Sequence, residues 1–361
     1  MAVEDIPAES WVLELEDLEK DTARLIQRLK KGERDIKGVR HRFEKGNILY
    51  SKLRTYLNKV LVADNPGFCT TEIIPFSLFS GISEFYINLV LRSKYFVDYT
   101  IQCGFGVKMP RLSTSDANSG QIPLPPLNEQ KRIVDKVELL LSIADSIEQE
   151  KFDLLKSASK LMNHILELAI SGKLVPQDPN DEPAIELLKR VNPNAVVSTD
   201  TSHYQHLPQG WCVCKLEDIV DYEQPQRYIV ESTEYSEAYK TPVLTAGKSF
   251  VIGHTNETAG VFDKVPVIIF DDFTTDSKYV DFHFKVKSSA MKILHVKSGV
   301  NIKYVYYFMS ITRLVGKTHK RYWISEYSKL DIPLPPYNEQ CRIVDAIERI
   351  NNRIDDIAEA L

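Results

Sequence analysis

Apolar residues recur at alternating intervals of three and four along residues 127–170, which predicts a single long helix with a coiled-coil seam. Pro125-Pro126 ends any earlier element, Asn128 can cap the new helix, and Gly172 suits its end. A second seam with the same spacing runs through residues 337–361. The residues expected to pair the two helices are Ile133, Val137, Leu140, Ile147, Leu161, Ile343, Ile347, Ile350 and Ile354.

Each predicted helix follows a region with strand-like patterns. In the first region, the predicted strands are residues 11–18, 47–50, 59–63 and 71–76, and a helix is predicted for residues 82–99. In the second region, the predicted strands are residues 265–272 and 289–295, followed by a helix at 303–314. The same order of strands, helix, basic loop and long helix therefore occurs twice.

One motif marks the start of both long helices. The segment Ile-Pro-Leu-Pro-Pro-Leu-Asn-Glu-Gln-Lys-Arg-Ile-Val-Asp occupies residues 122–135, and residues 332–345 repeat it with differences only at Tyr337 and Cys341. A match of this length indicates an internal duplication. Pairing of two such repeats about a pseudo-twofold axis would make their helices antiparallel.

The duplication predicts a mixed α/β (α+β) chain built from two domains and two helices. We expect a first domain at residues 1–126, a long helix at 127–172, a connector at 173–205, a second domain at 206–336 and a second helix at 337–361. The connector is rich in proline and acidic residues, as domain boundaries often are.

Composition places the chain among ordinary globular proteins. Of its 361 residues, 43% are hydrophobic and 26% are charged, which suits two domains with connecting structure. No apolar run is long enough for a membrane span, and the acidic start does not resemble a signal peptide. The odd number of scattered cysteines favours a reducing compartment. We therefore expect a cytoplasmic protein without a membrane partner.

The distribution of charge is more informative than the net charge of −5. Residues 20–59 hold thirteen Lys and Arg against four Asp and Glu, and residues 240–329 hold fourteen against seven. One basic block is usually a solvated face. Two blocks at related places in a duplicated chain make a polyanion partner as good an interpretation as a solvated face.

Within these blocks, cations alternate with aromatic side chains in a way that suits contacts to phosphates and base edges. The candidate DNA-binding residues are Lys52, Arg54, Lys59, Lys108 and Arg111 in the first domain, and Lys248, Lys278, Lys317, Lys320 and Arg321 in the second. The neighbouring side chains are Tyr50, Tyr56, Met109, Tyr322 and Trp323. For any one of these cations taken alone, an ordinary surface charge is the better interpretation.

The sequence offers no positive argument for catalysis. Gly247-Lys248-Ser249 resembles the end of a phosphate-binding loop, but Pro242 stands where that loop needs glycine. His203, His206, Cys212 and Cys214 have spacing compatible with zinc, although packed cysteines are the better interpretation.

A third candidate for a catalytic or metal site is an acidic cluster. Asp271, Asp272 and Asp276 with Lys278 loosely resemble a nuclease site, but solvated acids in a loop explain them better.

The duplicated motif, with further segments along the chain, resembles the specificity subunits of type I restriction-modification systems. These segments include residues 49–59, 69–72, 106–112, 169–178 and 241–248. The resemblance implies two target recognition domains, each reading one half of a split sequence in double-stranded DNA. It also implies an antiparallel coiled coil that receives modification (methyltransferase) and restriction (motor-nuclease) subunits.

The resemblance further implies a chain that is not itself an enzyme and binds no cofactor. S-adenosylmethionine, ATP and Mg would then belong to the partner subunits. The alternatives are a stand-alone nuclease or methyltransferase, and a coiled-coil scaffold that does not touch DNA. The second domain opens with a typical start at residues 207–219, which the first lacks, so we expect either a chain truncated at its N-terminus or a shorter first domain.

Overall fold

A computed structural model describes residues 1–106, 108–198, 204, 207–245, 249–314 and 321–360. The chain forms two compact units, Met1–Gln149 and Glu150–Leu361. One helix, Leu127–Ile170, begins in the first unit and ends in the second. Among the described residues, no helix is both long and apolar enough to cross a membrane.

The first unit combines two small sheets with helices. Its strands are β1 (Trp11–Leu13), β2 (Leu29–Lys30), β3 (Arg40–Phe43), β4 (Ile48–Ser51), β5 (Val60–Val62), β6 (Gly67–Thr70) and β7 (Ile73–Phe76), and its helices are α1 (Glu84–Arg92), α2 (Lys94–Cys103), α3 (Thr114–Ser119) and the first part of α4 (Leu127–Ile170). In one sheet, β1 lies between antiparallel β2 and parallel β6. In the other, β4 lies between β5 and β7, both antiparallel.

The second unit repeats this topology with additional strands. Its elements are α5 (Ala184–Val191), β8 (Cys212–Lys215), α6 (Leu216–Ile219), β9 (Val220–Glu223), β10 (Thr241–Leu244), β11 (Val251–Thr255), β12 (Val267–Asp271), β13 (Ser277–Val280), β14 (Lys285–Val286), β15 (Met291–Val296), α7 (Ile302–Ile311), β16 (Asp331–Leu334) and α8 (Tyr337–Glu359). Strand β10 lies between antiparallel β11 and parallel β14, as β1 lies between β2 and β6. Strand β12 lies between β13 and β15, as β4 lies between β5 and β7.

The two units differ where the second unit begins. Strand β8 pairs antiparallel with β16, which contains the start of the second motif copy, and β9 pairs with β15. Among the described residues of the first unit, no strand occupies the position of β8 or β9. Within the described ranges, the start of the first motif copy consequently has no strand beside it.

Sequence patterns located most of the long elements but misjudged two. The helix predicted for residues 82–99 is interrupted at Ser93, whose hydroxyl accepts a hydrogen bond from the Phe96 amide and starts a new helix. The strand predicted from Trp11 ends at Leu13, because Asp17 accepts a hydrogen bond from the Glu14 amide and closes a short turn.

Both motif copies use their glutamine in the same way. Gln130 accepts a hydrogen bond from the Ser83 amide at 2.9 Å and donates one to the Pro125 carbonyl at 2.8 Å. Gln340 accepts from the Asn301 amide at 2.8 Å and donates to the Pro335 carbonyl at 2.8 Å. We call each pair of bonds a glutamine bridge. It ties the start of a long helix to the N-terminus of a helix in the preceding domain.

A tyrosine accompanies each glutamine bridge. The Tyr86 hydroxyl donates to the Pro123 carbonyl at 2.8 Å, and the Tyr304 hydroxyl donates to the Pro333 carbonyl at 2.6 Å. The duplication therefore extends from sequence to matching hydrogen bonds around both motifs.

Within the second unit, the end of α4 and α8 run antiparallel. Ile165, Leu166 and Ala169 share a core with Ile343 and Ile347, whereas Leu154 and Leu161 line a groove of about 330 Å³ with Ile354 and Ile357. Residues later in α8 therefore lie beside residues earlier in α4, as expected for antiparallel helices. The mixed α/β class and the antiparallel helices predicted from the sequence are confirmed.

The apolar stripe is buried at the ends of α4 and exposed in the middle. Ile133 and Val137 are half-buried near its start, whereas Leu140, Ile147 and Leu161 are 53%, 61% and 50% exposed. On α8, Ile343 and Ile347 are fully buried and Ile350 and Ile354 are half-buried. An exposed apolar row on a helix of this length provides a surface for another protein.

Candidate nucleic-acid interface

Two loops of the first unit bring several predicted cations together. The loop after β4 and the loop after α2 are joined by backbone hydrogen bonds from Arg54 to Pro110 at 2.7 Å and from Leu112 to Lys52 at 2.9 Å. Lys52 also donates its amide proton to the Glu72 carbonyl at 3.0 Å. Residues distant in sequence thereby form one surface.

The tip of the second loop is a small hairpin. Phe105 and Arg111 exchange two backbone hydrogen bonds of 3.1 and 2.9 Å. Gly106 adopts a positive φ of 100° beside this pair, a conformation that glycine adopts without strain. The hairpin exposes Phe105, Lys108 and Met109. We define the first basic patch as Lys52, Arg54, Tyr56, Lys108 and Met109.

Arg54 is held in an uncommon conformation within this patch. Its φ of 50° lies in the left-handed region, where residues with a side chain are uncommon. Its buried Nε finds no hydrogen-bond partner among the described residues. Both features are costly for a purely structural arginine, and such features concentrate at functional sites.

Arg111 and Lys59 are committed to contacts within the first unit. The Arg111 guanidinium makes two hydrogen bonds of 3.1 Å to the Glu72 carboxylate, and this raises the pKa of Arg111. The Lys59 ammonium donates to the Leu15 carbonyl at 2.7 Å, and burial lowers the pKa of Lys59. Both cations therefore make contacts that hold the loops of the first unit in place.

The second unit places two predicted cations beside the turn between β12 and β13. Lys278 is exposed on β13 opposite Ile269, and the Arg321 guanidinium lies 5.9 Å from the centre of the Phe273 ring. Arg313, which sequence analysis missed, pairs with Asp276 at 2.8 Å in the same turn. The predicted Lys248, Lys317 and Lys320 lie outside the described residues.

Three aromatic residues expected beside the cations are instead part of the core. Tyr50, Tyr322 and Trp323 are 7%, 3% and 1% exposed. Burial raises the pKa of Tyr50 to about 12, and its ring meets Phe96 edge to face. Sequence alternation could not distinguish aromatic residues that face a ligand from those that face the core. Tyr56, which is 43% exposed, remains on the surface.

The aspartates considered for a nuclease site have structural partners. Asp271 accepts hydrogen bonds from the Phe273 amide and the Thr274 hydroxyl. Asp272 accepts one from the Trp323 amide and lies 3.3 Å from the Lys292 ammonium. The interpretation of these two as solvated acids is wrong, because they are only 5% and 2% exposed.

The two cysteines with zinc-compatible spacing are packed in the core, where Cys212 is 7% and Cys214 0% exposed on β8. Burial raises the pKa of the Cys212 thiol to about 11 and also raises that of the Cys214 thiol. His203 and His206 lie outside the described residues. Across the described ranges, no group of three or more His, Cys, Asp and Glu side chains is placed to hold a metal ion.

A polar cleft of the first unit was not evident from the sequence. It has a volume of about 800 Å³ and is lined by Trp11, Arg28, Lys30, Arg42 and Asn65, among others. The Arg28 guanidinium lies 4.3 Å from the centre of the Trp11 ring and donates to Asp64 at 2.6 Å. The cations of residues 20–42 were visible in the sequence, but their grouping around Trp11 depends on sheet pairing.

Comparison with known proteins relates both units to one family. The family described as "Type I restriction modification DNA specificity domain" matches residues 35–157 and 208–361. The EcoR124I/EcoR124II specificity subunit of Escherichia coli is 50% identical over 126 residues, which cover 33% of this chain and 31% of that protein. The EcoAI specificity subunit of Escherichia coli is 29% identical over 254 residues, covering 52% and 43%. The matched part therefore spans less than half of these relatives.

Solved structures share the fold. A structure described in a study of complex assembly and conformational transition of the type I R-M system has a TM-score of 0.70 at 16% identity and covers 100% of this chain and 91% of that one. The HsdS subunit from Thermoanaerobacter tengcongensis has a TM-score of 0.54 at 16% identity, with 99% and 86% covered. At this identity, the likeness concerns the fold alone.

Proposed function

The chain belongs to the family of type I restriction-modification DNA specificity proteins, as its duplicated motif predicted, and we infer from this membership that it is a DNA sequence-recognition subunit. Each α/β unit would read one half of a bipartite duplex target. The observation that carries this proposal is the repeated architecture, in which the same glutamine bridge joins an α/β unit to a long helix twice. Two related readers suit a target with two separate half-sites.

In the first unit, the first basic patch would make the contacts. Lys52, Arg54 and Lys108 would bind phosphates, while Tyr56 and Met109 would approach base edges. In the second unit, Lys278 and Arg321 would have the corresponding role, together with Lys248, Lys317 and Lys320. Arg111 and Lys59 would hold the loops in place through their contacts to Glu72 and Leu15.

The chain itself would be non-catalytic and would bind no cofactor. Modification subunits carrying S-adenosylmethionine would dock along the long helices, and restriction subunits using ATP and Mg would join them. The complex would act in the cytoplasm on chromosomal DNA. The exposed middle of α4 supports this arrangement, since the apolar side chains of Leu140 and Ile147 are 53% and 61% exposed.

Replacing Lys52 and Arg54 by alanine is expected to weaken DNA binding by about tenfold to a hundredfold and to reduce the salt slope by about 2, because two phosphate contacts would be lost. The target would first be mapped from methylated adenines in the host genome. Binding of the chain with its modification subunits to that duplex would then be measured across salt concentrations. Lys94→Ala is the control, because the Lys94 side chain is 87% exposed on α2, pairs with Asp98 at 2.8 Å and does not belong to the first basic patch.

Unchanged affinity and slope in the double variant would remove the first basic patch from the proposal. A purified chain that cleaves or methylates DNA without partners would establish the enzyme alternative. Failure of the chain to bind any DNA duplex with modification subunits present would favour the other alternative, a coiled-coil scaffold that does not touch DNA.

Ile147→Asp is expected to weaken association with the modification subunit more than tenfold without loss of thermal stability. The side chain is 61% exposed in this chain, so the charge costs little until a partner buries it. Co-elution and thermal unfolding would be measured together. Ser146→Asp places the same charge one residue away on another helix face, and an equal loss there would contradict a specific apolar contact.

A further inference from the structure

The turn between β12 and β13 is bonded to its surroundings in the same way as the turn that carries the first basic patch. In the first unit, the backbone of Lys52 is bonded to the loop after α2 and to the residue before β7. In the second unit, the Asp272 amide donates to the Ala290 carbonyl, just before β15, at 3.1 Å. The Asp272 carbonyl accepts from the Tyr322 amide, in the loop after α7, at 3.0 Å. The two turns are therefore counterparts.

Each of these turns exposes an aromatic ring. Phe273 is 39% exposed in the second unit, and Tyr56 is 43% exposed in the first. Each turn also contains a residue in the left-handed region, Thr275 with a φ of 58° and Arg54 with a φ of 50°. The Thr275 hydroxyl is buried and accepts from the Leu314 amide at 3.2 Å. A left-handed conformation is rare for a β-branched residue, and such conformations concentrate at functional sites.

Two buried carboxylates hold Phe273 in this exposed position. The Asp271 carboxylate accepts from the Phe273 amide at 2.9 Å and from the Thr274 hydroxyl at 2.7 Å. The Asp272 carboxylate is paired with the buried Lys292 ammonium at 3.3 Å. Because these bonds fix the backbone of the turn, little conformational entropy remains to be lost when Phe273 meets a ligand.

Cations lie beside the exposed ring. The Arg321 guanidinium is 5.9 Å from the centre of the Phe273 ring, and Lys278 is exposed on β13. The Arg313 side chain is 64% exposed and neutralises Asp276 at 2.8 Å. An apolar ring among cations suits a base edge between phosphates. A phenylalanine cannot form hydrogen bonds through its side chain, so the base group that it matches in the major groove is the thymine methyl.

We propose that Phe273 is a specificity-determining residue, whose ring contacts the methyl group of a thymine in the half-site that the second unit reads. Arg313 and Arg321 would hold the neighbouring phosphates. This inference rests on the proposed function as a DNA-recognition subunit. It extends that function to a residue that the distribution of cations along the sequence did not indicate.

The test measures binding of the chain with its modification subunits to duplexes based on the target mapped from methylated adenines. Each thymine of both half-sites is replaced in turn by uracil, which lacks only the methyl group. The wild-type chain is expected to lose about fourfold in affinity at one thymine position, as burial of one methyl group predicts. Phe273→Ala should bind the thymine and uracil duplexes equally at that position, and should respond like the wild type in the other half-site.

Phe282→Ala is the matched control, because Phe282 is 40% exposed and follows the end of β13 that lies away from the turn. It should respond to uracil like the wild type. Thermal unfolding of Phe273→Ala should match that of the wild type, because the ring is exposed.

The proposal would be overturned by a wild-type chain that is insensitive to uracil at every position, or by a Phe273→Ala variant that keeps the full wild-type response. Loss of the response in both half-sites together would also overturn it, because Phe273 belongs to one unit only. In these three cases, preference of the wild type for the mapped target would leave the proposed function intact. A wild-type chain without any preference for that target would overturn the proposed function and this inference together.

Discussion

Lys292→Met is expected to destabilise the second unit by about 3–5 kcal/mol, because it leaves a buried carboxylate without its cation. Lys292 and Asp272 are 1% and 2% exposed. The Lys292 ammonium lies 3.3 Å from the Asp272 carboxylate and donates to Gln224 at 2.9 Å. The lysine belongs to β15, whose position beside β12 brings the pair together.

Urea unfolding followed by tryptophan fluorescence would measure this free energy, since Trp323 donates its amide proton to Asp272. The double variant Lys292→Met with Asp272→Asn should recover much of the loss, because a neutral amide can still accept from Trp323. Arg313→Met is the control. Its pair with Asp276 is exposed and should contribute only about 0–1 kcal/mol. No recovery in the double variant would contradict the charge argument.

Gln340→Met is expected to cost about 2–4 kcal/mol, because it leaves the buried Pro335 carbonyl and the partly buried Asn301 amide unpaired, and a buried unpaired group costs about 1–3 kcal/mol. The exchange preserves side-chain volume but removes both bonds of the glutamine bridge to Asn301 and Pro335. Gln130→Met should have a smaller effect in the first unit, because its bonds to Ser83 and Pro125 are both only partly buried.

Amide hydrogen exchange would locate each effect. Faster exchange is expected at Asn301 in one variant and at Ser83 in the other. Gln102→Met is a suitable control, because Gln102 is exposed on α2 and its replacement should change stability by less than about 0.5 kcal/mol. Equal acceleration in both units by either variant would contradict two independent bridges.

Local and periodic features were accessible from sequence. The seam located α4, and the observed helix spans Leu127–Ile170 as predicted. The apolar run at residues 265–272 located β12. Both predictions succeeded because helical periodicity and short apolar runs are properties of residues that are close together in the sequence.

Features set by distant partners were not accessible. The pairing of Asp272 with Lys292 requires two adjacent strands of one sheet, and the contact of Lys59 with Leu15 spans 44 residues. The glutamines were visible in the motif, but their partners at Ser83 and Asn301 could not be inferred from spacing. The near-identity of the two motifs also concealed the difference between exposed Glu129 and buried Glu339.

The exposed apolar stripe of α4 also has a consequence for the amount of this protein that a cell can synthesise without aggregation. On and around this stripe, the exposed apolar side chains of α4 include Leu139, Leu140, Leu141, Ile143, Ile147, Phe152 and Leu155, each at least 42% exposed. Apolar surface of this extent on a free chain promotes self-association. If a modification subunit covers this surface as proposed, synthesis of the chain in excess over that subunit is expected to yield aggregates or degradation, so that balanced production becomes a condition of solubility.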